Sequence, residues 1–198
     1  MNKTILITGA TSGFGEAMAY VFAAAGDRLI LTGRNENKLA AISADIRTKH
    51  GVAVHTLCFD IQNKEAVFAA VNSIPAAFTN IDVLINNAGL ALGRDSFQDA
   101  SLEDWETMID TNVKGLLYIS KAVLPLLINN KKGHIINIGS TAGVEVYKDG
   151  NVYCASKHAV AAISKSMRID LLPHHIKVTA IHPGAVETDF SLIRFKGD

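Results

Sequence analysis

The strongest constraint on the fold is a regular alternation of short, β-branched apolar runs with longer stretches of helical periodicity. Several short runs are apolar almost without interruption, which is typical of parallel strands that are buried on both faces. This alternation predicts right-handed crossovers and an α/β fold with a doubly wound parallel sheet in three layers, α/β/α. The predicted strands are residues 3–8, 28–32, 52–58, 82–86, 133–139 and 176–183, and the predicted helices lie near 14–25, 36–50, 63–77, 102–130 and 152–172.

Composition argues against several classes of function. Hydrophobic residues make up 48% and charged residues 19% of the chain, which is typical of a globular protein. Lys and Arg balance Asp and Glu at 19 each, so no excess of charge favours nucleic acid or an anionic membrane as a partner. The longest apolar runs have the length of strands, so we expect no membrane-spanning segment, and the chain is predicted to begin with a strand rather than a signal peptide.

The cysteines and histidines show no metal-binding pattern. Cys58 and Cys154 are far apart and fit no metal or redox spacing, so we expect two buried, reduced thiols and a cytoplasmic protein. His174 and His175 are adjacent and cannot share one face of a helix, and no carboxylate motif flanks them. The sequence therefore predicts that the protein binds no metal.

A glycine-rich segment, TGATSGFG, links the first predicted strand to the first predicted helix. Its glycines permit a tight turn in which backbone N–H groups approach a diphosphate at the N-terminus of the helix. A purely structural turn is the alternative, but the position between a strand and a helix is the context that dinucleotide binding requires. We therefore predict a Rossmann fold whose first loop contacts a dinucleotide through Gly9, Thr11, Ser12, Gly13, Phe14 and Gly15.

The ends of the next three predicted strands bear on the choice of cofactor. Arg34 follows the second strand, where an NAD-specific site usually offers an acidic residue. A guanidinium can bind a 2′-phosphate, so NADP is favoured over NAD, the alternative being a solvated arginine. Asp60 follows the third strand and can accept from the adenine amino group, or else cap a helix. In the NNAG segment, Asn87, Ala88 and Gly89 are predicted to lie against the cofactor.

Tyr153 and Lys157 lie one helical turn apart in NVYCASKHA (151–159), with only small side chains between them. Tyrosine and lysine at this spacing are often ordinary surface neighbours. A free tyrosine, with a pKa of roughly 10, is too weak a base near pH 7, and an adjacent ammonium favours the phenolate. Four residues rise about 6 Å along a helix, which places the ammonium close enough to favour a phenolate that acts as a base.

These segments together resemble the motifs of the short-chain dehydrogenase/reductase family, in the family's order and over the whole chain. The resemblance implies that Asn112, Ser140, Tyr153 and Lys157 are catalytic. It implies that Ser140 binds the substrate oxygen, that Lys157 also holds the nicotinamide ribose, and that Asn112 anchors a water connecting Lys157 to solvent. Without the resemblance, Ser140 would be interpreted as a turn or helix cap and Asn112 as a surface residue.

The resemblance also covers PGAVET (183–188). Thr188 matches the residue that binds the nicotinamide carboxamide, and Pro183, Gly184 and Val186 are predicted to contact the cofactor as well. Tyr147 and Arg194 are predicted to contact the substrate together with Ser140. A guanidinium fork at Arg194 suits a substrate carboxylate, although charged residues in such a position are commonly just solvated.

Further segments, NNAGLALG, DWETMIDTN, GHIINIGSTAG and RFKGD, resemble the NADP-dependent 3-hydroxy acid dehydrogenases, which oxidise serine and allo-threonine. The predicted function is therefore hydride transfer between NADP(H) and a small 3-hydroxy acid. One alternative is a broad-specificity NADPH-dependent reductase of ketones and diketones. Another is a non-catalytic NADP-binding regulator, which would be expected to lack Tyr153 or Lys157. An epimerase or dehydratase on the same fold would usually show a different glycine spacing.

Family members normally continue with a seventh strand and further helices, so residues 1–198 are expected to form a single domain that lacks its C-terminal part. In the family, the two long helices before strands five and six pair across a twofold axis, which implies a homotetramer, with a homodimer as the alternative. The apolar stripes of these two predicted helices are Leu116, Val123 and Leu127, and Val160, Ile163 and Met167.

Overall fold

The computed structural model describes residues 2–186, which contain one sheet of six parallel strands. The sheet order is β3-β2-β1-β4-β5-β6, so the predicted doubly wound topology is confirmed. The winding reverses between β1 and β4, and ligands of such sheets bind at the carboxyl ends of the strands beside that point. The strands are β1 (Thr4–Ile7), β2 (Arg28–Gly33), β3 (Val54–Cys58), β4 (Val83–Asn86), β5 (Gly133–Ile138) and β6 (Ile176–Ile181).

The described chain contains six α-helices, whose positions agree with the predicted ones apart from the end of the third helix and a break within 102–130. The third helix ends at Asn72, earlier than predicted, because Pro75 disfavours the helical conformation for the residue before it. Only a 3₁₀ turn, Ala76–Phe78, follows. The helices are α1 (Gly13–Ala24), α2 (Glu36–His50), α3 (Lys64–Asn72), α4 (Leu102–Ile109), α5 (Leu116–Asn129) and α6 (Asn151–Leu171).

The predicted helix 102–130 is interrupted by a π-helical segment, Asp110–Gly115, which separates α4 from α5. In this segment, a β-carbon on Gly115 would lie 2.9 Å from Ile61 Cγ2, so the helix packs closely against the chain that follows β3. The whole stretch Leu102–Asn129 is long and apolar enough to cross a membrane by composition alone. Its α5 part, however, packs into the protein core beside the sheet.

Two apolar clusters cover the two faces of the sheet. One contains side chains of α3 and α5 with Leu6, Leu84 and Ile135, and the other contains side chains of α1 and α2 with Ile5 and Ile85. Of the predicted apolar stripes, Val123 and Leu127 belong to the first cluster and Met167 packs against it. Leu116 and Val160 are also buried, and Ile163 is partly buried. Packing within the chain therefore explains most of the two stripes.

A buried polar network joins α5, β4, β5 and α6 behind the carboxyl edge of the sheet. Asn86 donates to Ser120 and to Asn137, both at 2.8 Å, and Asn137 donates to Ser164 at 2.9 Å. All four side chains are buried. A buried polar group without its partner costs about 1–3 kcal/mol, so this network fixes the two helices in one register on the sheet. That the chain forms a single domain lacking a C-terminal part stays a prediction.

Candidate active site

A cavity of about 900 Å³ opens along the carboxyl ends of the strands, where the topology places a ligand site. Two predicted site residues, Gly15 and Asn112, lie outside its lining, and Thr188 and Arg194 lie outside the described residues. The predicted residues that line the cavity are Gly9, Thr11, Ser12, Gly13, Phe14, Arg34, Asp60, Asn87, Ala88, Gly89, Ser140, Tyr147, Tyr153, Lys157, Pro183, Gly184 and Val186.

The glycine-rich loop is shaped by close backbone contacts. Gly9 has a φ of +65°, in the left-handed region that favours glycine. A β-carbon on Gly15 would lie 2.1 Å from Gly9 O and 2.6 Å from Asn87 Nδ2, so Gly15 lets α1 approach the loop rather than a ligand. Ser12 precedes α1 without a side-chain cap, which leaves the first N–H groups of the helix available to an anion at the cavity.

Asn87 holds the same loop against β4. Its side-chain amide donates to Thr8 O at 2.9 Å and to Gly9 O at 3.2 Å. The Thr8 hydroxyl in turn accepts from the backbone N–H groups of Asn87 and Ala88. The NNAG segment therefore joins the ends of β1 and β4 by hydrogen bonds at the point where the winding reverses.

The second and third strand ends bring Arg34 and Asp60 together. Arg34 Nη1 lies 3.6 Å from Asp60 Oδ2, and both side chains are largely exposed. Asp60 accepts from Gln62 N, while Asn63 provides the cap of α3, so Asp60 is not the helix cap that the sequence offered as an alternative. A guanidinium held at the cavity rim can bind a phosphate dianion.

Cys58 is exposed, so the expectation of two buried thiols is wrong for this residue and holds only for Cys154. β3 is an edge strand in which successive side chains point to opposite faces, and Leu57 takes the buried position. The Cys58 thiol instead lies 3.6 Å from Arg34 O, at the end of the neighbouring strand.

Lys38 also lines the cavity and was not predicted from the sequence. It lies in the first turn of α2, whose cap is Asn35, so it follows Arg34 by about one helical turn. The signal for it was a second cation at that spacing on the same strand–helix junction. Other unpredicted lining residues, such as Leu90, Thr111 and Ala142, carry no sequence signal beyond being apolar or small.

Tyr153 and Lys157 lie in the first two turns of α6, and both are buried. Lys157 Nζ lies 5.9 Å from the centroid of the Tyr153 ring and donates to Ile138 O at 3.0 Å. Burial lowers the pKa of Lys157 to about 8. The pair therefore differs from the surface neighbours that the sequence offered as an alternative.

Ser140 follows the end of β5 by two residues and lines the same cavity. Its Oγ accepts from Ala142 N at 3.1 Å, so it does cap the 3₁₀ turn Thr141–Gly143, as the alternative interpretation expected. Accepting this bond leaves the hydroxyl hydrogen available for a second partner, because a hydroxyl both donates and accepts. Both interpretations of Ser140 are thus compatible.

Asn112 lies in the π-helical segment and is buried, so its interpretation as a surface residue is wrong. Its amide donates to Leu90 O at 2.8 Å and to Ser156 Oγ at 3.0 Å, and its oxygen accepts from Leu90 N. These contacts tie the chain after β4 to the helix that carries Lys157. A β-carbon on Gly89 would lie 3.1 Å from Asn112 Oδ1 and 3.5 Å from Lys157 Nζ, so glycine keeps this junction open.

Comparison with known proteins identifies the family. Residues 3–195 match the short chain dehydrogenase family. The chain is 49% identical over 195 residues to the NADP-dependent 3-hydroxy acid dehydrogenase of Salmonella typhi, covering 98% of this chain and 77% of that protein. It is 46% identical over 199 residues to sulfoacetaldehyde reductase 2 of Chromohalobacter salexigens, covering 100% of this chain and 78% of that protein.

A solved structure agrees with this assignment. The closed form of serine dehydrogenase complexed with NADP⁺ superposes with a TM-score of 0.93 at 47% identity, over 98% of this chain and 77% of that one. The chain belongs to the short-chain dehydrogenase family. The family and the parallel α/β fold predicted from the sequence are confirmed.

The buried ammonium of Lys157 predicts an unusual dependence of stability on pH. The pKa is about 8 in the folded chain and 10.5 as the ordinary value, so the unfolded chain binds more protons between these values. Stability attributable to this group therefore rises with pH through that window, and its full cost, about 3 kcal/mol at 1.36 kcal/mol per unit, is present below pH 8.

We expect Lys157→Met to raise the free energy of unfolding at pH 7 by up to about 3 kcal/mol, less any loss of the contact with Ile138. The gain should shrink as the pH rises from 8 towards 10.5. Urea unfolding of the cofactor-free proteins measures this, with the exposed Lys165→Met on the same helix as control, within about 0.5 kcal/mol of wild type. A variant less stable than wild type at pH 7 would contradict the account.

Proposed function

We propose that the protein is an NADP-dependent dehydrogenase that oxidises the 3-hydroxyl group of a small 3-hydroxy acid, such as serine or allo-threonine. One observation carries the proposal: a single cavity has a cationic rim at Arg34 and a catalytic end where Ser140, Tyr153 and Lys157 converge. The relative named NADP-dependent 3-hydroxy acid dehydrogenase and the serine dehydrogenase structure complexed with NADP⁺ support the cofactor and the substrate class.

The cavity suits a dinucleotide on its own geometry. The turn at Gly9, where a β-carbon would lie 2.9 Å from Ala88 Cα, and the uncapped start of α1 form an anion cradle. Arg34 with Lys38 adds positive charge at the adenosine side. We propose that Asp60, Asn87, Ala88, Gly89, Pro183, Gly184 and Val186 complete the cofactor site, with Asn87 acting mainly through the glycine-rich loop. NADP, when bound, supplies the hydride acceptor.

In the proposed reaction, Tyr153 takes the proton of the substrate hydroxyl. With a pKa of about 8, Lys157 is mainly protonated at pH 7, and its ammonium favours the Tyr153 phenolate. A pKa near 8 also allows Lys157 to release a proton without a large barrier, which suits the proposed exit by way of Asn112 and water. Ser140 donates its free hydroxyl hydrogen to the substrate oxygen.

Our assignment of the residue that binds the substrate carboxylate is based on the sequence. Arg194 remains our candidate for the substrate carboxylate, and it lies outside the described residues. Within residues 2–186, the side chains beside Ser140 and Tyr153 that line the cavity are mainly uncharged, among them Leu90, Ala142 and Tyr147. This apolar wall favours a second candidate, NADPH-dependent reduction of ketones or diketones at the same site.

We extend the proposal to the oligomeric state and the cellular location of the protein. Leu117, Ile169 and Leu172 are exposed apolar side chains on or just after α5 and α6. Together with the family resemblance, these side chains support a homotetramer, with a homodimer as the alternative. Two free thiols support a cytoplasmic location.

A substrate panel tests the function directly. We expect NADP reduction with serine, allo-threonine and 3-hydroxybutyrate at kcat/KM values at least tenfold above those for simple alcohols, and weak NADPH oxidation with diketones.

Tyr153→Phe removes the group that takes the proton, so rates on every substrate should fall by roughly 10²–10⁴-fold while NADP still binds. Faster turnover of diketones than of hydroxy acids would favour the second candidate, and near-normal turnover by Tyr153→Phe would remove Tyr153 from the mechanism.

Arg34 is expected to distinguish the two cofactors, because only NADP carries the 2′-phosphate. Losing a charge-assisted contact costs about 1.5–3 kcal/mol, so Arg34→Ala should raise the KM for NADP by roughly ten- to a hundredfold. The KM for NAD, measured on the same preparation, should stay within a factor of about two. An equal loss for both cofactors would show that Arg34 serves the structure of the strand end instead.

A further inference from the structure

His182 contacts the backbone of Ser140 from outside the cavity lining. It follows β6 directly, is partly exposed, and its Nδ1 lies 3.0 Å from Ser140 O. The carbonyl oxygen only accepts, so the ring must carry its hydrogen on Nδ1. Both the neutral tautomer with that hydrogen and the protonated ring can donate this bond.

The ring also packs on the end of β5. A β-carbon on Gly139 would lie 2.6 Å from His182 Nδ1 and 2.9 Å from its Cε1, so the imidazole occupies the space that a side chain at position 139 would need. On either side of Ser140, backbone bonds join the two chains, from Gly139 N to Ile181 O and from Thr141 N to Pro183 O. The imidazole and these two backbone hydrogen bonds together hold the Ser140 peptide in place.

We propose that His182 is a positioning residue for Ser140. The backbone carbonyl of Ser140 accepts from His182 Nδ1 and from Gly143 N, and its side chain accepts from Ala142 N. These bonds fix both the peptide and the hydroxyl, so that the hydroxyl hydrogen points to one place in the cavity. This role rests on the proposed function, in which Ser140 donates to the reacting oxygen, and small displacements of such a donor reduce the rate.

Asparagine and glutamine in place of His182 should differ in their effect, because their amide nitrogens lie at different distances from the backbone. The amide nitrogen of asparagine can take the place of His182 Nδ1, whereas that of glutamine corresponds to Nε2, which faces away from the Ser140 carbonyl. We expect His182→Ala and His182→Gln to lower kcat by about three- to tenfold, the equivalent of one neutral hydrogen bond, and His182→Asn to restore most of it. The dissociation constant of NADP, measured by fluorescence titration, should stay unchanged in all three variants.

His134 offers a matched control in the same pair of strands. Its ring contacts Thr179 Oγ1 at 2.9 Å, so it also joins β5 to β6, but near the start of β5. His134→Ala should leave kcat unchanged even if it lowers the unfolding temperature as much as His182→Ala does. An equal fall of kcat in both variants would reduce the role of His182 to general stability and overturn the proposal.

A double-mutant cycle with Ser140→Ala gives the decisive measurement. Ser140→Ala alone should lower kcat by roughly 10²–10³-fold, and adding His182→Ala should then change it by less than about twofold, since the group being positioned is gone. Independent, multiplying effects, or a weaker affinity for NADP in His182→Ala, would overturn the proposal. Both arms use whichever panel substrate the wild type turns over, so a failure of the hydroxy-acid assignment shows separately in the wild-type rates.

Discussion

A lysine ammonium held almost out of water at the carboxyl edge of the sheet is the constraint on which the rest of the site depends. The described structure gives Lys157 one direct hydrogen bond, to Ile138 O, and places it beside the Tyr153 ring. Gly143 lets the 3₁₀ turn pack closely on the backbone of Lys157, because a β-carbon at this position would lie 2.5 Å from Lys157 O. The fold thus accepts a cost in stability to keep a cation beside the tyrosine for which we propose a phenolate form.

The contacts of Asn112 give a physical reason for the π-helical segment. Asn112 must turn inward to bind both the chain after β4 and Ser156 on α6, and one widened turn changes the direction in which its side chain points. The buried hydrogen-bond network of Asn86 and Asn137 lies on β4 and β5 and fixes α5 and α6 to the sheet. Positions of the candidate catalytic groups are therefore set by polar contacts between elements as well as by apolar packing.

Sequence patterns predicted the fold well because the signals are local. Apolar runs locate the strands, and TGATSGFG, NNAG and the Tyr153–Lys157 spacing each follow or accompany a strand end or a helix start. What the sequence did not predict depends on tertiary contacts. The π segment, the exposure of Cys58 on an edge strand and the role of Asn87 in holding the Gly9 turn each require knowing which strands are neighbours.

Direct transfer of hydrogen from carbon 3 of the substrate to the nicotinamide is the central chemical claim. It is tested by incubating the enzyme with NADP and allo-threonine that carries deuterium at carbon 3, followed by mass spectrometry of the NADPH formed. We predict that the deuterium is found in the NADPH. NADPH formed without deuterium, or the absence of any NADPH with a 3-hydroxy acid, would contradict it.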